Sequence, residues 1–193
     1  VAAMKGIAAK VSESLTVHDL THEIPQFNIW DAANRLKEAA PFWPDGTVFV
    51  SVVDPGVGSG QKSVVLKTLS GHYFVTPDNG TLTFVAEQLG ISEIREIDLS
   101  DTRVTGSSEF ATFHGRDLYA HVGAGLASGQ LFFQQVGKRL PRAVAELDHV
   151  KCSVSDGVAR GSIPVLDVRF GNVWTNIPLR LFEKLDVSAG QLL

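Results

Sequence analysis

Disulfide bridges, a membrane-length apolar run and a basic tract are all missing from this sequence. Its 193 residues hold one cysteine, Cys152. A single thiol excludes an internal disulfide framework and fits a reducing cytosol. Alone in a strand-like stretch, it reads as a structural thiol. No apolar run reaches the roughly 18 to 20 residues of a membrane-spanning helix. Lys and Arg number 17 against 21 Asp and Glu, a net charge of −4 with no basic block, which argues against electrostatic capture of nucleic acid. The opening VAAMKGIAAKVSESL reads as an amphipathic helix without the basic flank or cleavage site of a signal peptide. No internal repeat or low-complexity tract is present. What remains is a hydrophobic content of 44%, enough for a real core.

The pattern predicts a helix over 1–13 and a short strand over Leu15–Leu20, then a turn at Pro25. Asn28 or Asp31 can cap the next helix, in which Trp30, Ala33, Leu36 and Ala40 share a face. Pro41 and the Pro44-Asp45-Gly46 turn end it and lead into a strand over 47–53. Strand, helix, strand in that order predicts a parallel crossover. Next come a hairpin of SVVLKT and HYFVT, a PDNG turn at 77–80 and a helix TLTFVAEQLG closed by Gly90. A strand over Ile94–Leu99 precedes a polar loop over 100–112. A helix starting near Arg116 ends at Gly129. Composition changes at the linker PRAVAELDHVK, and Cys152 to Ile177 alternates like strands. The predicted fold is an α/β domain over 1–143 with a central, mostly parallel sheet, followed from 150 by the opening of a smaller β-rich, barrel-like domain. Both ends read as cut, so the chain is expected to be part of a longer one.

The stretch TVFVSVVDPGVGSGQKS at 47–63 organises the rest. Its β-branched and aromatic run predicts a strand covered on both faces. That strand delivers Asp54 into a glycine-rich turn that Pro55 bars from any ladder. A carboxylate at the carboxyl end of a central strand marks where open α/β sheets bind ligands. Other motifs fail. GVGSGQKS lacks the glycine before Lys-Ser that a phosphate loop needs, because position 61 is Gln. His18 and His22 are four apart, but the residues between them favour a strand and no third ligand is near, so no metal is expected.

Three stretches share a chemistry: VVDPGVGSGQK, TFHGRD and LDVRFGNVWTNI. Asp54 can accept a hydrogen bond from water, and His114 can exchange a proton near neutral pH. Asp167 and Asn172 offer an anion and an amide to a zwitterion. With AAMKG, DLTHEIPQF and PDNG added, the chain resembles the S-adenosylmethionine hydroxide adenosyltransferases, or adenosine-forming S-adenosylmethionine hydrolases, which are related to the fluorinase and chlorinase. DPGVG, TFHGRD and FGNxxTNI in that order carry the match.

The resemblance implies an α/β domain followed by a β-barrel-like one, in a cytoplasmic homotrimer with substrate between subunits. It implies hydrolysis of S-adenosylmethionine to adenosine and L-methionine without a cofactor or metal; from charge and hydropathy, neither nucleic acid nor membrane is an expected partner. The family's catalytic Asp and His fall on Asp54 and His114, and its ribose-stacking aromatic on Phe27. Phe113 and Gly115 join the substrate-binding set through TFHGRD. Asp167 and Asn172 would hold the methionine end, with Phe170 and Trp174 lining it. The family's third catalytic residue, an Arg, is Gln61 here, with Lys62 beside it as a possible source of charge. That substitution keeps open a second reading, a protein that binds S-adenosylmethionine or adenosine without turnover. A nucleoside halogenase is a third, disfavoured by the carboxylate at 54 and by Gly115 where those enzymes carry Ser.

Overall fold

The computed structural model describes residues 1–100, 113–167 and 170–185. The chain divides into two compact units, Val1–Leu147 and Asp148–Leu193. The predicted 100–112 loop lies outside the described residues, apart from Ser100. No helix among the described residues is long and apolar enough to cross a membrane.

In the first unit, α1 (Ala2–Val11) precedes an irregular stretch, and α2 (Ile29–Ala39) follows it. Asn28 caps α2, its side-chain oxygen accepting from the Asp31 N–H at 3.0 Å. The 310 turn Ala40–Phe42, opened by Pro41, ends the helix. Strands β1 (Val48–Val50), β2 (Ser63–Thr68) and β3 (Tyr73–Pro77) follow, then α3 (Thr83–Leu89) and β4 (Ile91–Glu96). A π turn at Gly115–Tyr119 leads directly into α4 (Ala120–Ser128), and β5 (Arg139–Leu140) completes the sheet.

The sheet order is β1-β3-β2-β4-β5. This corrects the predicted mostly parallel sheet: only β1 and β3 run parallel, and the other three pairings are antiparallel. The tight turn between β2 and β3 permits no other orientation. The helical crossover is β3–α3–β4, with β2 lying between the two strands it joins. The strand leading toward Asp54 has one partner, β3, within the described sheet. It is three residues long, sits at the edge of the described sheet, and leaves Val50 partly exposed. β-branched residues promote extension, but which neighbours a strand acquires is decided elsewhere in the chain. Leu15–Leu20 forms no ladder among the described residues, so the predicted first crossover is absent.

Side chains alternate across the sheet with period two. Val64, Leu66 and Phe74 face one core with Leu36 of α2 and Val85 of α3. Val65 and Val75 face another with Leu118, Tyr119 and Val122. The helix face predicted from Trp30, Ala33, Leu36 and Ala40 is buried at the last three positions, and Trp30 meets Phe84 edge-on at 5.1 Å. His72 is 3% exposed. Its Nε2–H donates to the Trp43 carbonyl at 2.8 Å, and its Nδ1 accepts from Ser70 at 2.9 Å.

α1 lies outside α4, where the Gln130 amide donates to the Val11 carbonyl at 2.7 Å. His121 on α4 faces this seam. Burial holds its imidazole below the ordinary value; Asp117 pulls the other way and Lys10 adds to the lowering. A depressed folded value means that the stability contribution is present above about pH 6.5 and is lost as pH falls. His121→Gln is therefore expected to flatten the fall in melting temperature between about pH 7 and 5; an unchanged slope in thermal scans would refute it.

In the second unit, β6 (Ser153–Ser155) and β7 (Val158–Arg160) form a hairpin. Its two turn residues, Asp156 and Gly157, both have positive φ, which matches strand twist. β8 (Val165–Asp167) and β9 (Asn172–Trp174) form a second antiparallel pair, and a short α5 (Leu179–Phe182) follows. That helix lies beyond the Cys152–Ile177 stretch predicted as strands.

Candidate active site

Beyond β1 the chain leaves the ladder at Ser51, whose N–H still donates to the Val75 carbonyl at 3.1 Å. Three residues on, Asp54 is half-buried. The backbone around it is fixed from the PDNG turn: the Asn79 amide donates to the Val53 carbonyl at 2.9 Å, and the Asp78 N–H donates to the Lys62 carbonyl at 2.9 Å. The glycine loop between these anchors folds back on itself. Gln61 Nε2 donates to Asp54 Oδ1 at 2.8 Å. Its other amide atom rests over Gly56, where an added Cβ would lie 2.6 Å from Gln61 Oε1. Position 56 must stay small for Gln61 to reach the carboxylate. Lys62 is exposed.

His114 is half-buried at the head of the π turn. Gly115 beside it packs on Val52, since a Cβ there would meet Val52 Cγ1 at 3.2 Å and Met4 Sδ at 3.8 Å. Val52 precedes Asp54 by two residues, so the turn bearing the imidazole rests on the segment leading to the carboxylate. Further along, Gly123 lets α4 settle onto the Val50 side chain. The Tyr119 ring stands edge-on to His114, 6.4 Å between centroids and 79° between planes. Its hydroxyl shares a 2.8 Å hydrogen bond with Ser63 Oγ. Burial pushes the Tyr119 phenol well above its ordinary value; the Ser63 bond opposes this, and the Asp54 carboxylate adds to it.

Two of the expected substrate-binding aromatics are exposed. Phe113 is exposed, with the Arg116 guanidinium over its ring at 5.0 Å and also bound to the Asp117 carboxylate. Phe27 is 60% exposed and adopts φ 67°, a left-handed backbone rare for a side chain of this size. Its carbonyl accepts from the Ile29 N–H at 2.9 Å, and the Pro25 carbonyl accepts from the Asn28 N–H at 3.0 Å.

The second unit gathers its own group. Asp167 and Asn172 are directly opposed in the β8–β9 pair. Trp174 Nε1 donates to Asp167 Oδ2 at 3.3 Å. Gly171, Asn172 and Trp174 help line an open depression of about 590 Å³, and Phe170 stands exposed at the turn. The structure thus joins Asp54 to Gln61, sets His114 on the Asp54 segment, and joins Asp167 to Trp174 beside Asn172. Among the described residues, no hydrogen bond or ring contact joins Phe27 to these side chains, and the two groups belong to separate units. Sequence reasoning missed Asn79, Ser63 and Tyr119. For Asn79 the turn motif was visible but its side chain's target was not.

Comparison with known proteins bears on this arrangement. The family profile described as the SAM hydroxide adenosyltransferase N-terminal domain matches residues 1–137. An (R)-S-adenosyl-L-methionine hydrolase of Methanocaldococcus jannaschii is 42% identical over 181 residues, which is 92% of this chain and 61% of that protein. The chain therefore spans less than two thirds of that relative. A fluorinase of an Actinoplanes species is 29% identical over 212 residues, covering 97% of this chain and 70% of its own length. A crystal structure of an uncharacterized conserved protein from Thermotoga maritima superposes with a TM-score of 0.90 at 41% identity, covering 97% of this chain and 70% of that one.

Proposed function

The chain belongs to the S-adenosylmethionine hydroxide adenosyltransferase family, and from that premise we propose that it hydrolyses S-adenosyl-L-methionine to adenosine and L-methionine. The observation that carries the reading is the half-buried Asp54 carboxylate, steadied by Gln61 and neighboured by the turn bearing His114. In this reaction an oxygen–carbon bond forms at ribose C5′ as the C5′–sulfur bond breaks. The electron pair passes to sulfur, and methionine leaves neutral at that atom, so the leaving group needs no acid. Water must be aligned behind C5′ and must surrender a proton. Alignment alone can be worth several kcal/mol, and Asp54 with His114 supplies acceptors for the proton.

Phe27 and Phe113 form apolar walls for the nucleoside in this reading, with Gly115 leaving room beside them. Asp167 takes the ammonium and Asn172 the carboxylate of the methionine end, with Phe170 and Trp174 around its stem. Lys62 contributes charge from the loop surface. Carrying over the assembly that the resemblance implies, we read the working form as a cytoplasmic homotrimer, with no metal or cofactor.

Incubation with S-adenosylmethionine followed by chromatography tests the reading directly. Adenosine and methionine in equal amounts are expected, and no halogenated nucleoside when chloride or bromide is added, because the Asp54 charge repels a halide. Binding without product would leave only a carrier. Gln61→Arg is expected to raise kcat about three- to ten-fold, since a guanidinium grips a carboxylate through two hydrogen bonds where the amide offers one. A fall in kcat would instead show that the neutral partner keeps Asp54 basic.

A further inference from the structure

Tyr119 and Ser63 have no part in the chemistry above, yet they sit at its junction. Tyr119 is 1% exposed, Ser63 opens β2 two residues after Gln61, and the two side chains are hydrogen-bonded at 2.8 Å across 56 residues of sequence. The π turn explains how one ring reaches both His114 and Ser63. In a regular α-helix, positions five apart lie about 140° apart around the axis, so the His114 and Tyr119 rings would face different directions. Here the Ala120 N–H bonds to the Gly115 carbonyl, five residues back, and this wider ring brings positions 114 and 119 together. Such turns are energetically poor and recur at functional sites.

The structure also locks the other end of this link. The Ser63 carbonyl accepts from the Ile97 N–H at 2.8 Å, and the preceding residue's carbonyl, on Lys62, accepts from Asp78. Ser63 is therefore a fixed post at the exit of the Asp54 loop. Tyr119 spans from that post to the imidazole. We propose that Tyr119, anchored on Ser63 and turned toward His114 by the π turn, is a positioning residue that holds the imidazole in register with the Asp54 loop. The proposal rests on the hydrolase reading for its effect on rate, but not for the coupling itself.

Tyr119→Phe keeps the ring and removes the bond, and Ser63→Ala removes the partner. Each is expected to lower kcat about ten-fold with KM changed less than about two-fold, and the double variant to be as slow as either single one, as for groups acting as a unit. The double variant also leaves neither group buried without a partner, so it separates rate loss from misfolding. Unchanged kcat in well-folded variants, or losses that multiply, would overturn the proposal. An equal loss in kcat and thermal stability that the double variant restores would do so too. The His114 imidazole signal, observed by NMR in the wild type and in Tyr119→Phe, provides a readout independent of turnover. It is expected to move on loss of the hydroxyl, and a signal that stays in place overturns the coupling. If the wild type releases no adenosine, the hydrolase reading fails alone, and the NMR comparison still decides this one.

Discussion

Replacing Asp54 by Ala is expected to lower adenosine release by about three orders of magnitude while leaving the protein folded. A positioned acid–base group contributes about 10²–10⁴-fold, and this carboxylate is asked both to orient water and to share its proton. Its loss also deprives Gln61 Nε2 of its 2.8 Å acceptor, so the glycine loop slackens. Asp54→Asn separates the two contributions. The amide keeps the size and one oxygen for Gln61 but not the charge, so a similar loss in kcat assigns the effect to the anion. Chromatographic initial rates, with melting temperatures as a control for folding, are the measurement. A loss of less than about ten-fold in Asp54→Ala would remove this residue from the chemistry.

The second large effect concerns stability. Gly137→Ala is expected to destabilise the protein by about 3 kcal/mol, a fall of about 10 °C in melting temperature. Gly137 has φ 150°, a region that side chains rarely enter. A Cβ there would also strike the Glu96 carbonyl and approach the Asp98 nitrogen at 3.0 Å. Neither can yield cheaply: Glu96 N–H bonds the Lys138 carbonyl and Asp98 N–H the Val136 carbonyl, both at 3.0 Å. The Arg95 guanidinium also donates to the Gly137 carbonyl at 2.9 Å. The segment that would shift includes Ile97, whose N–H holds Ser63, so the damage reaches the site. Thermal unfolding of the variant decides it; a change below about 1 kcal/mol would show that the junction can relax.

Short-range chemistry was what could be read without coordinates. The Asn28 cap, the Pro41 stop and the positive-φ glycines at 90 and 129 each follow from a few neighbouring residues. Asp54 and His114 could be singled out from residue type and motif, and the structure rests the turn bearing His114 on the segment leading to Asp54. Long-range decisions were not legible. Val48–Val50 looks like a middle strand and pairs on one side only within the described sheet, because a neighbour's identity depends on pairings set dozens of residues away. His72 gives no sign in sequence that a carbonyl 29 residues earlier will receive its proton. Nor does Tyr119 announce Ser63, since a buried phenol and its partner obey no local spacing. The π turn was missed because GRDLY reads as an ordinary helix start.

Phe27 carries a consequence for how a flat ring system would be received. A bulky residue in left-handed backbone costs on the order of 1–3 kcal/mol, met here when the chain folds and the Pro25–Ile29 turn closes. A benzyl group already oriented by its backbone has less rotational freedom left to surrender on encounter. Were Phe27 to wall the nucleoside, the affinity gained there would be taken from the stability of the folded chain. Relaxing the turn would be expected to make a sturdier protein and a slacker receptor.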